Sequence, residues 1–210
     1  MENKHIAEIQ EIRRMMESSS RFISLSGLSG VFAGIIALLG AIVAFFYLDY
    51  DKRYFDAYEF FSQPKSLKYR EIALFLIIDG SLMIVGALAS AIYFTSRKAK
   101  QKGLPLWDNI AKRMLINLAI PLITGGIFAL LLIYHQLIYL IAPATLIFYG
   151  LALLNGSKYT YDDLRLLAIS EIILGLIATF FIGYGLIFWA LGFGVLHIIY
   201  GVVMYYKYER

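Results

Sequence analysis

Cysteine is absent from all 210 residues. Disulfides, thiolate metal sites, c-type haem attachment and cysteine nucleophiles are excluded together. Charge is scarce as well, since Asp, Glu, Lys and Arg supply only 16% of the chain, against about 25% in soluble domains. No cluster of basic residues with exposed aromatic partners marks a nucleic-acid surface. Neither a G-x-S-x-G elbow nor an H-E-x-x-H helix occurs, so two common hydrolytic signatures are missing. The first apolar run begins only near Phe22 and is too long for a signal-peptide core of about 7–15 residues. It ends without an A-x-A-like cleavage site, and an uncleaved anchor is expected. Period-two alternation is lacking too, which sets membrane strands aside.

What is present is apolar bulk. Hydrophobic residues make up 60% of the chain, and the mean hydropathy is +0.70. A soluble fold of this length could not cover so much apolar surface; a bilayer can, at about 20 residues per helical crossing. Six stretches stand out, at about 22–48, 72–96, 114–134, 137–154, 166–183 and 186–206. The pattern predicts an all-α polytopic bundle of six transmembrane helices over residues 22–206. An amphipathic cytoplasmic segment, 1–21, precedes it, and a short tail, 207–210, follows. Only His135-Gln136 separates spans three and four, and Gly183-Tyr184-Gly185 marks the turn between five and six. Connections that short force antiparallel hairpins.

Lysine and arginine fix the expected orientation. Of the nineteen, fourteen fall in residues 1–21, the second and fourth connections and the tail, and five fall in the first loop. The positive-inside rule then puts both termini in the cytoplasm.

Two further segments carry patterns of their own. Ile9, Ile12 and Met16 recur at helical spacing within 1–21. The charges there balance, whereas a lipid-binding helix is richly basic. This stripe suits a solvated lead-in to span one, or a docking helix for a cytoplasmic or membrane protein partner at residues 1–20. In the first loop Tyr54, Tyr58 and Phe61 share a face ahead of Pro64, and an interfacial helix is expected. A faint duplication, "FYG" at 148–150 and "IYG" at 199–201, is too short to carry an argument.

Span one is unusually light. Gly27, Gly30, Gly34, Ala37, Ala41 and Ala44 are spaced 3, 4, 3, 4 and 3, a heptad seam on one side of the helix. Helices in lipid associate through close backbone approach, which small residues permit. The seam predicts tight packing, either inside the bundle or in a homodimer through the first span.

The passage "IRRMMESSSRFISLSGLSGVFAG" (12–34), with five more spans behind it, resembles a group of bacterial integral membrane proteins with no assigned function. The resemblance implies a six-span fold in the bacterial inner membrane, with neighbouring winged-helix regulators. It brings no catalytic or binding residues.

Ionisable groups at membrane depth mark functional sites by default. Span two carries Asp79, span five Glu171 and span six His197, and span three has Asn117 four residues before Pro121. Depths of about 12 Å for Asp79 from the outer face and about 15 Å for His197 from the inner face bring the two to one level. They are expected to face each other, as a buried pair or a proton relay. Glu171, about 8 Å from the inner face, could accept that proton, meet cytoplasmic water or snorkel to the interface. All three could equally serve only to hold helices together. Pro121 cannot donate to the Asn117 carbonyl, so residues 121–126, with Gly125 and Gly126, are expected to kink or unwind.

No cofactor and no metal is implied. The histidines are His5, His135 and His197, and no two share the mid-membrane level that bis-histidine haem needs. The sequence thus points to a non-enzymatic membrane protein, a sensory or scaffolding module acting through its N-terminal helix. The alternative is a small proton-linked transporter using Asp79, Glu171 and His197.

Overall fold

The computed structural model describes residue 22 and residues 25–48, 67–103, 105 and 107–210. The amphipathic segment 1–21 and the interfacial helix expected in the aromatic loop, at 49–66, lie outside the described residues. Among the described residues every regular element is helical. They are α1 (Gly27–Tyr47), α2 (Leu67–Gln101), α3 (Asn109–Tyr134), α4 (Ile141–Gly156), α5 (Asp163–Phe180) and α6 (Gly185–Tyr208). Short 3₁₀ turns flank α4 at Ile138–Leu140 and Ser157–Tyr159. Five of the helices, all but α5 and with α4 taken through its flanking turns (Ile138–Tyr159), are long and apolar enough to cross a membrane. The sixth, α5, has 18 residues and carries Asp163, Arg165 and Glu171.

The helices run past several of the expected limits. α2 extends from Leu67 to Gln101 because Lys, Arg, Glu and Gln are good helix formers, so charge ends the apolar run without ending the helix. α5 begins at Asp163 and stops at Phe180, three residues earlier at each end than the hydrophobic run. Turns fall where expected. Gln136 takes a left-handed φ of 65°, with Leu137 N–H donating to Leu132 O and Gln136 N–H to Ile133 O. This pair of bonds satisfies the end of α3 as a Schellman turn does.

Helix α6 is the shared element. α1 packs on one side of it, α4 and α5 meet its other side, α2 packs mainly on α1, and α3 on α4. The small-residue face of α1 is used inside the chain. A methyl group on Gly34 would stand 2.7 Å from both Gly194 O and Ile198 Cγ1, and one on Gly30 would stand 3.3 Å from the Gly201 Cα. Gly27 lies against the backbone of Gly201 and Tyr205. Ala37, Ala41 and Ala44 are buried. α6 answers with Gly194 and Gly201, seven residues apart, which lie under Leu38 and against Val31 and Gly27. Apolar side chains elsewhere on α1, such as Leu39, Ile42 and Phe46, are exposed, as a lipid-facing surface would be.

Of the kink or unwinding expected at residues 121–126, helix α3 shows no unwinding. It remains helical from Asn109 to Tyr134 with Pro121 inside it. The reason is a substitute donor: Asn155 Nδ2 on α4 donates to the Asn117 carbonyl at 3.1 Å, the one that proline leaves without an N–H. Gly125 is buried beneath Phe148, while Gly126 faces open space. Asn155→Leu should therefore strand a carbonyl and lower stability by about 1–2 kcal/mol. In a Pro121→Ala background the restored N–H takes over, and the same change should cost much less. Thermal unfolding of the four proteins in one detergent checks both statements.

At the end where the basic residues gather, the polypeptide closes on itself. Lys98, 4% exposed, donates to Leu25 O at 2.6 Å and lies 3.5 Å from Glu209 Oε1. Glu209 also accepts from Ser26 Oγ at 3.0 Å and from Gly27 N–H. A carboxylate is favourable at this helix start. Phe22 N–H donates to Tyr159 O at 2.6 Å, and Thr160 Oγ1 donates to Phe22 O at 2.8 Å. Burial, together with neighbouring Tyr208 and Glu209, pushes the Tyr161 phenol up to about 12.

Candidate functional site

Three helices bring one buried polar cluster together. Glu171 on α5 has no solvent exposure, and His197 on α6 is 5% exposed. His197 Nδ1 stands 3.4 Å from Glu171 Oε1 and 3.0 Å from Gly192 O. On the other edge of the ring, Nε2 lies 2.7 Å from the Tyr149 hydroxyl on α4. Both Glu171 oxygens are buried without a hydrogen-bond partner among the described residues.

The bonds assign the ring's proton. A carbonyl oxygen only accepts, so the contact with Gly192 O requires hydrogen on Nδ1. In a neutral ring Nε2 is then the acceptor, and Tyr149 donates to it. Gly192 O and Glu171 Oε1 compete for the single Nδ1–H, and the shorter contact goes to the carbonyl. An ionised carboxylate in this position has no donor of its own, which costs several kcal/mol at low dielectric.

Local backbone form makes the cluster possible. Residues Ala190–Leu196 are π-helical, a form that recurs as short bulges at functional sites. Gly192 supplies the carbonyl and also leaves room. A methyl group there would stand 2.5 Å from Glu171 Oε2, so the carboxyl group rests on bare backbone. Tyr149 and His197 are further packed against the Phe193 ring, with centroids 4.9 Å and 6.0 Å away.

The structure brings together two of the expected residues, Glu171 and His197. It does not pair His197 with Asp79. Asp79 is half-buried on α2, and no hydrogen bond or ion pair joins it to His197 among the described residues. α1 lies between α2 and α6, so residues at matched depth are separated sideways. Glu171 does not snorkel either. It lies eight residues along α5 from Asp163, about 12 Å, and its side chain is enclosed. Asn117 belongs to a separate clasp between α3 and α4, donating to Tyr159 Oη at 3.2 Å and to Arg113 O at 2.9 Å.

Tyr149 and Gly192 were missed by residue-level reading. Tyr149 sits in "FYG", a hydroxyl in an apolar span, and Gly192 and Gly194 give "LGFG" its small residues. Either could have drawn notice as a polar or small residue in an otherwise bulky helix. Their meeting with Glu171 could not be read without the helix order.

No family model, curated protein or solved structure matches the chain. The resemblance carried by residues 12–34 rests on those residues alone.

Proposed function

We propose that the chain is a non-enzymatic integral membrane module, sensory or scaffolding, that signals to a protein partner through its N-terminal segment. In this reading it crosses a bacterial inner membrane six times with both termini in the cytoplasm, as the lysine and arginine distribution favours. The observation that carries the proposal is the double use of α6. One face holds His197 against Glu171, and another packs Gly194 and Gly201 on the seam of α1. A change at the buried pair thereby has a direct mechanical route to α1, the helix that follows residues 1–21 in the chain. Interlocked backbones of this kind have discrete packings and resist gradual deformation.

A photo-reactive side chain at Ile12 tests the reading in living cells. A specific protein adduct that changes when Glu171 is replaced by Gln supports it. Adducts with lipid alone, or an adduct indifferent to Glu171, would reject signalling through this segment.

One observation favours a second reading, a proton-linked carrier: a fully buried carboxyl group whose oxygens have no hydrogen-bond partner among the described residues. Asp79 stands apart from that group, so the carrier would use Glu171 and His197 without it.

A further inference from the structure

We propose that Glu171, His197 and Tyr149 form a proton-binding site, in which one added proton exchanges the hydrogen-bond partners of the His197 ring. The inference names the stimulus for the module proposed above and rests on its site; it needs no partner to be true. Both Glu171 oxygens are buried without a hydrogen-bond partner among the described residues, although buried polar atoms are normally satisfied. His197 Nδ1 stands 3.4 Å from Oε1, and the Tyr149 hydroxyl lies 2.7 Å from Nε2.

The transfer balances with one proton. Tyr149 O–H gives its proton to His197 Nε2 while Nδ1–H passes to Glu171 Oε1. The Tyr149 oxygen regains a proton from solvent, and that is the one proton bound. At the end Glu171 is a neutral acid donating to Nδ1, and Nε2–H donates to Tyr149. Gly192 O has lost the ring as a donor. Every polar atom of the ring is satisfied in both states, and release reverses the exchange. The titratable groups facing Glu171 among the described residues are His197 from α6 and Tyr149 from α4. Exchange of the Gly192 carbonyl's partner alters the π-helical turn, and that turn touches α1 through Gly194.

Infrared titration of the full chain in lipid nanodiscs tests this, in an Asp79→Asn background that removes the other intramembrane carboxyl. A carboxylic-acid C=O band should grow as pH falls, disappear in Glu171→Gln and shift in Tyr149→Phe. A titrating band that does not alter the Ile12 adduct would support the site and reject the signalling reading. A band that survives Glu171→Gln and ignores Tyr149→Phe would overturn the site.

Discussion

His197→Ala should lower stability by about 3–5 kcal/mol, the cost of removing one member from a buried ionisable pair. The expectation follows from where Glu171 is left. Among the described residues His197 Nδ1, at 3.4 Å, is the one ionisable partner within 4 Å of that carboxylate, and neither oxygen has a hydrogen-bond donor. With the ring gone, the carboxylate must take up a proton or draw water into the bundle. Tyr149 loses its acceptor at the same time, stranding a second polar group. The damage should be smaller in Glu171→Gln, since an amide keeps the volume and carries no charge. Equilibrium unfolding in detergent at fixed lipid content reads the difference. A His197→Ala protein as stable as its parent would mean that the buried carboxyl needs no partner.

Gly201→Leu should break the contact between α1 and α6. A side chain there would begin 2.5 Å from the Val31 backbone nitrogen and 2.7 Å from Gly27 O. Backbone cannot move aside as a flexible side chain can, so the helices must separate. Overpacking of interiors costs about 1–3 kcal/mol, and Gly34→Leu should behave similarly against Gly194 O. Gly80→Leu and Gly126→Leu provide the controls, because a methyl group at either position meets nothing within 4 Å. Melting temperatures should fall for the first pair and stay near the parent for the second. Equal losses at all four positions would contradict the seam, since glycine-to-leucine changes raise helix propensity and Gly80 and Gly126 have no neighbour to displace.

Much of this architecture was legible in composition and spacing. Long apolar runs gave the helices, and the glycine–alanine heptad named the face of α1 that packs. Hydropathy alone could not give helix limits, because Arg97–Gln101 continue α2 as readily as leucines do. The site was half legible. Glu171 and His197 stood out because charge is costly in an apolar span, but depth is a single coordinate. Asp79 and His197 matched in depth and were assigned to each other, whereas α1 separates α2 from α6. Neighbour order comes from contacts such as Gly34 with Gly194, and no periodicity within one helix reveals its partner. The unwinding offered beside a kink for α3 did not occur, for a related reason. Pro121 does remove a donor, yet the sequence does not show that Asn155 will arrive from α4 to replace it.

A pair of double-mutant cycles tests the central assignment most directly. One combines Glu171→Gln with His197→Gln, and the other combines Asp79→Asn with His197→Gln, all measured by unfolding under the same conditions. Residues in contact couple by at least about 0.5 kcal/mol, and distant ones add to within about that value. The first cycle should show coupling above this level, with the double replacement recovering part of the single loss. The second should be additive. Coupling between Asp79 and His197, with additivity between Glu171 and His197, would contradict the site.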